Sequence, residues 1–150
     1  EKGVSVITYE GERFLPTCKT SNLLLSYLAL EEAHKENAFE ALLVDRFSRV
    51  LEGTRSNFYA IKDNVLFTAP DELVLSGVTR ISVLKAAEEL GLTIVFEAIS
   101  VDTIFDYDEV FISSTSMAAM PIAIIDGQEV AKEHEITLKI KDKVREWEVL

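Results

Sequence analysis

The chain has 150 residues, 48% of them hydrophobic and 27% charged, with apolar residues spread along its whole length. That suits one domain with its own core and argues against disorder. A formal net charge of −11 argues against a nucleic-acid footprint and against docking on an anionic membrane, since both need a basic surface. An anionic ligand would need a local positive site built from backbone N–H groups and a few cations. The single cysteine, Cys18, permits no intrachain disulfide and fits a reducing, cytoplasmic setting. No apolar run is long enough to span a bilayer. The opening Glu1-Lys2-Gly3 is no signal peptide, and Glu1 in place of Met hints at a fragment or a processed chain.

In chain order, Val4-Ser5-Val6-Ile7-Thr8-Tyr9 alternates as a strand, and Glu10-Gly11-Glu12 turns the chain. Residues 13–19 are irregular and contain Pro16. A helical pattern covers residues 21–36, with Leu23, Leu24, Tyr27, Leu28 and Glu31 on one face and Thr20 or Ser21 as cap. Ala41-Leu42-Leu43-Val44 reads as a buried strand. Residues 58–61 and 65–68, joined at Lys62-Asp63-Asn64, read as a β-hairpin. A second helix opens at Gly77-Val78-Thr79-Arg80 and stops at Gly91. Strands follow at 93–96, 109–113 and 121–125, with a short helix at 100–105 and a turn at Asp126-Gly127. Residues 136–148 form a terminal helix. The pattern predicts an α/β fold with a mixed sheet.

The dinucleotide, P-loop and G-x-S-x-G patterns are absent. His34 and His134 have no Cys or His partner at metal-ligand spacing, so no metal site is expected. Three segments carry chemistry. Lys19 stands at the mouth of a helix in Cys18-Lys19-Thr20-Ser21-Asn22; it is either a solvated lysine or one poised for imine formation. Leu51-Glu52-Gly53-Thr54-Arg55-Ser56-Asn57 reads as a polar loop, and taken alone as a surface turn with Glu52 paired to Arg55. Leu75-Ser76-Gly77-Val78-Thr79-Arg80 places glycine and hydroxyl groups at a helix start. That is either a simple N-cap or an anion site, where free N–H groups and the helix dipole favour phosphate. The cluster Ser113-Ser114-Thr115-Ser116 offers a comparable choice.

In this order the segments resemble the second half of the class IV aminotransferases, the branched-chain and D-amino-acid family. That family carries lysine-x-x-Asn, then Glu-Gly-Thr-x-Ser-Asn, then Gly-Ile/Val-Thr-Arg, then a hydroxyl-rich turn before Pro-Val/Ile. Here these read Lys19-Thr20-Ser21-Asn22, Glu52-Gly53-Thr54-Arg55-Ser56-Asn57, Gly77-Val78-Thr79-Arg80, and Ser114-Thr115-Ser116 with Pro121-Ile122. The resemblance implies a mixed sheet with pseudo-barrel character and flanking helices, like the large C-terminal domain of the family. It implies pyridoxal 5'-phosphate as cofactor and a homodimer with its active site near the interface.

The resemblance also assigns roles. Lys19 would form the Schiff base and move a proton between the substrate α-carbon and the cofactor C4′. Glu52 would face the pyridine nitrogen and keep the ring protonated. Val78, Thr79 and Thr115 would bind the phosphate, and Leu75 would pack under the ring. Ser116 and Met117 would offer backbone N–H groups to the substrate carboxylate. Two departures stand out. The turn Ser116-Met117-Ala118-Ala119-Met120 lacks the Glu and Thr of many transaminases and comes closer to the aminodeoxychorismate lyases of the family. The family's N-terminal domain, which supplies an arginine to the phosphate and further substrate contacts, is not in this chain. Residues 1–150 are therefore expected to be a single C-terminal, cofactor-binding domain. The expected reaction is transfer of an amino group between an amino acid and a 2-oxo acid. The alternatives are β-elimination by a related lyase and a non-catalytic domain that keeps only the fold.

Overall fold

A computed structural model describes residues 2–13, 15–18, 23–130 and 133–149. Among the described residues nine strands form one mixed sheet: β1 (Val4–Glu10), β2 (Glu40–Val44), β3 (Val50–Gly53), β4 (Asn57–Lys62), β5 (Val65–Thr68), β6 (Thr93–Phe96), β7 (Glu109–Ser113), β8 (Met120–Ile125) and β9 (Gln128–Glu129). The helices are α1 (Leu24–Lys35), α2 (Val78–Glu89) and α3 (Glu135–Val149). The strand order is β3-β2-β1-β8-β7-β4-β5-β6, and an additional β3–β4 pairing closes six of these strands into a ring. β1 runs parallel to both β2 and β8, whereas β7 is antiparallel to β4 and β8.

The closed ring has an apolar interior, with Val6, Leu42, Val50, Phe58, Val110, Ile112 and Ile122 in one cluster. Strand alternation sends the intervening residues outward, where Tyr59, Ile61 and Phe111 meet Val83, Ala86 and Ala87 of α2 and Ile140 and Val144 of α3. The hairpin turns are built as the sequence requires. Asp63 and Asn64 have φ of 50° and 61°, and Asp126 and Gly127 have φ of 50° and 79°, the left-handed pair of a two-residue type I′ connection. Gly91, at φ 86°, ends α2 where a side chain would be strained.

Three expectations need correction. Residues 50–53 form the buried strand β3 and not part of a polar loop; Glu52 is only 6% exposed. α1 begins at Leu24, not at residue 21, with Leu23 in the N-cap position and no side-chain cap; the expected caps, Thr20 and Ser21, lie outside the described residues. The expected packing face of α1 is also reversed. Leu23, Leu24 and Tyr27 are each more than 60% exposed, while Ala29 and Ala33 are fully buried against β2. Small residues let the helix lie close to the sheet, with Leu25 and Leu30 packed beside them, and Leu23, Leu24 and Tyr27 are left facing outward.

Candidate active site

The site forms where β3, β4 and β7 deliver their ends to the start of α2. One cavity of about 660 Å³ is lined by Arg13, Leu23, Ser26, residues 52 and 54–57, residues 75–79, and residues 113–115. That volume lies within the range of small-molecule sites.

Glu52 enters from β3. Its Oε2 accepts from Arg13 Nη2 at 3.3 Å and Nε at 3.4 Å. Burial pushes its carboxyl up to about 7, because loss of water outweighs the opposing pull of Arg13, of the Leu75 amide and of the more distant Arg80. Glu52 thus pairs with Arg13 and not with Arg55, the pairing expected of a plain surface turn. Sequence reasoning passed over Arg13, which sits in a stretch with no motif. The one available signal was that a buried carboxylate needs a counter-charge.

The loop before α2 is tied to the sheet by Asn57, whose Nδ2 donates to the Leu75 carbonyl at 3.0 Å. Leu75 is half-buried at the cavity wall. Gly77 takes the N-cap position in extended conformation, and no side chain caps the helix. The first-turn amides of Val78 and Thr79 are therefore donors without a side-chain acceptor, at the positive end of a 12-residue helix. The Thr79 hydroxyl lies 3.4 Å from that of Thr115, so residues 36 positions apart meet at one end of the cavity. Arg80, the last residue of the motif, points away. It is 1% exposed, donates to the Thr68 hydroxyl at 2.7 Å and the Ala69 carbonyl, and pairs with Asp71 at 3.2 Å. Its work is to fasten α2 to the end of β5.

The turn after β7 is compact. The Ser114 carbonyl accepts from the amides of Met117 at 3.2 Å and Ala118 at 2.9 Å, and Arg145 of α3 donates to the Ser116 carbonyl at 3.0 Å. Behind it, the Tyr59 and Ser113 hydroxyls share a buried hydrogen bond of 2.8 Å. Ser116 and Met117 line an adjoining cavity of about 560 Å³ that shares Arg55, Ser114 and Thr115 with the first.

Lys19, Thr20, Ser21 and Asn22 lie outside the described residues. In sequence they fall between Arg13 and Leu23, both of which line the cavity. No lysine among the described residues does so. Among the described residues no cluster of three or more His, Cys, Asp or Glu is placed to hold a metal ion, and no helix is long and apolar enough to cross a membrane.

The residues present fit a flat, phosphorylated, nitrogen-containing ring. A buried carboxylate lines the cavity, and uncapped helix amides with a hydroxyl pair line its rim. The fold and the sequence have known counterparts. Residues 2–125 match the family model for Amino-transferase class IV. The D-alanine aminotransferase of Bacillus licheniformis is 42% identical over 132 residues, covering 87% of this chain and 46% of that protein. A putative branched-chain-amino-acid aminotransferase of Methanocaldococcus jannaschii is 34% identical over 154 residues, covering 97% and 54%. The crystal structure of a T.th. branched-chain amino acid aminotransferase, solved with pyridoxamine 5'-phosphate, superimposes with a TM-score of 0.89 at 30% identity over 96% of this chain and 50% of that one. The chain spans about half the length of the curated relatives it matches. By fold, motif order and sequence match together, the chain belongs to the class IV aminotransferases.

Proposed function

We propose that this chain is the cofactor-holding half of a pyridoxal-phosphate-dependent aminotransferase, which moves an amino group between an amino acid and a 2-oxo acid. The observation that carries the reading is one cavity joining the buried Glu52 carboxylate to the uncapped α2 start and the Thr79–Thr115 pair. The names of the relatives, D-alanine and branched-chain aminotransferases, favour transfer over the lyase alternative.

When bound, the cofactor supplies an electron sink for the substrate α-carbon. The protein residues do the rest. Glu52 holds a proton at the ring nitrogen, and that positive nitrogen would in turn supply the counter-charge that favours ionised Glu52. Val78 and Thr79 offer amides to the phosphate and Thr115 adds a hydroxyl. Leu75, at the cavity wall, would pack against the ring. Lys19 would hold the cofactor and would move a proton between the substrate α-carbon and cofactor C4′. The Ser116 amide meets the substrate carboxylate. The Met117 amide joins it by sharing its hydrogen between that carboxylate and the Ser114 carbonyl.

The rest of the proposal concerns the whole protein. An upstream domain completes the phosphate site and closes the substrate pocket, and two copies form a homodimer in the cytoplasm. The exposed Leu24, Tyr27 and Leu28 of α1, with Leu23 just before it, give the chain an apolar face of the kind such contacts cover. This chain alone should fold, because its core clusters are internal. It should not turn over, because water would reach the reacting atoms and the substrate would be poorly oriented.

The test is to titrate pyridoxal phosphate into the purified chain, assay amino-group transfer from a panel of amino acids to added 2-oxo acids, and then add the separately expressed upstream half. Activity that appears only on mixing supports the reading. Robust turnover by the chain alone refutes the claim that it is part of a site. Breakdown of substrate with no amino acid formed from the added 2-oxo acid would point to the lyase.

A further inference from the structure

Thr54, Arg55 and Ser56 share a partner that no motif marks. Glu40 opens β2 and is 1% exposed. Its Oε1 accepts from the Thr54 hydroxyl at 2.6 Å and the Ala41 amide at 2.9 Å. Its Oε2 accepts from the Ser56 hydroxyl at 3.1 Å and the Arg55 amide at 3.3 Å. With four donors around it, the group acts only as an acceptor, which an amide of the same shape cannot do. The requirement for glycine at position 53 follows. A Cβ there would lie 2.1 Å from Ser56 Oγ and 2.9 Å from Glu40 Oε2.

The turn held in this way is part of the cofactor cavity. Thr54, Arg55 and Ser56 all line it, with Glu52 before them and Asn57 after. The turn is closed by the Gly53 amide donating to the Ser56 carbonyl at 2.9 Å. β3 itself is secured separately, by the pairing of Leu43 with Glu52 and of Leu42 with Gly53. The turn joins Glu52 to Asn57, which pair across it, so loss of Glu40 would loosen the β4 side of Glu52 while the pairing with β2 keeps the strand itself in place. Glu40 also lines the adjoining cavity, so it stands between the two spaces a cofactor and its substrate would share.

We propose that Glu40 is a positioning residue: by clamping Thr54, Arg55 and Ser56 it sets the turn that aims the Glu52 carboxylate at the cofactor ring. The inference rests on the cofactor reading above. Its structural half, the clamp, can be measured without cofactor.

The experiment compares wild type with Glu40→Gln in the full-length protein. In the apoprotein, amide hydrogen exchange across residues 53–56 should quicken about tenfold or more, with cooperative melting retained. In the loaded protein the pH midpoint of the cofactor's visible absorbance band should move, and cofactor affinity should fall about tenfold. kcat should drop more than KM changes. Should Glu40→Gln fail to fold, Thr54→Val removes the shortest of the four bonds and should shift the same readouts in the same direction by less. Faster exchange with an unchanged spectral midpoint and unchanged affinity would reduce Glu40 to a structural clamp and overturn the proposal; unchanged exchange would overturn it outright. A wild-type protein that shows no cofactor band would instead fault the cofactor reading, and the exchange data would still decide the clamp.

Discussion

The two ends of the cavity are built in opposite ways. At the Glu52 end the functional group sits on the outer face of the closed sheet on β3, 6% exposed and paired to Arg13. At the Thr79–Thr115 end the groups sit on the rim, on a helix start and a loop, and Val78 beside them is 81% exposed. A buried charge is sensitive to its surroundings, so the first end can tune chemistry. Exposed neutral donors hold a charged ligand without being altered by it, so the second end can supply affinity. On the proposed function, electrostatic control belongs with the sheet and binding with the helix.

The largest expected effect probes the buried end. Glu52→Gln keeps the shape but cannot hold a proton on a ring nitrogen by charge. Such a loss typically costs roughly 2–4 kcal/mol of barrier, so kcat of the full-length protein should fall by about one and a half to three decades. Wild-type turnover in the variant would remove Glu52 from the ring nitrogen.

The same residue predicts a pH effect on stability. Its folded pKa is about 7 against an ordinary 4.5. Between those values the folded apoprotein keeps a proton that the unfolded chain has released. Glu52 therefore lowers stability as pH rises through that window, and the loss is complete above about pH 7. Glu52→Gln should remove this component, so that denaturation midpoints of variant and wild type diverge from pH 5 to pH 8 in the variant's favour. Parallel curves would mean that Glu52 titrates normally.

The rim should respond more mildly. Thr79→Ala and Thr115→Ala each remove one hydroxyl from a charged acceptor, worth roughly 1.5–3 kcal/mol. Cofactor affinity should weaken by about one to two decades with substrate preference unchanged. Unchanged affinity with altered preference would place these hydroxyls at the substrate.

Legibility in the sequence divides along the same line. The rim could be read, because helix starts and turns have local chemistry: Gly77, Thr79, Asp126-Gly127 and the Lys62-Asp63-Asn64 hairpin stand where their residue types indicate. The buried end was legible only through the family motif. Glu52 looked like part of a polar loop, because burial of a carboxylate depends on partners distant in sequence. Arg13 and Glu40 lie 39 and 12 positions upstream of Glu52, and neither carries a local pattern. The face of α1 was misread for a related reason. Periodicity locates large apolar residues, but here Ala29 and Ala33, with Leu25 and Leu30 beside them, make the contact and leave Leu23, Leu24 and Tyr27 for other surfaces.

The central claim is that this cavity holds pyridoxal phosphate through Lys19. The most direct measurement is borohydride reduction of the cofactor-loaded full-length protein, followed by digestion and mass mapping of the adduct. Lys62 is exposed at the end of β4, and Lys85 lies over the Trp147 ring, 4.5 Å from its centroid; neither lines the cavity. The account predicts a single adduct on Lys19. An adduct on Lys62 or Lys85 instead would contradict it.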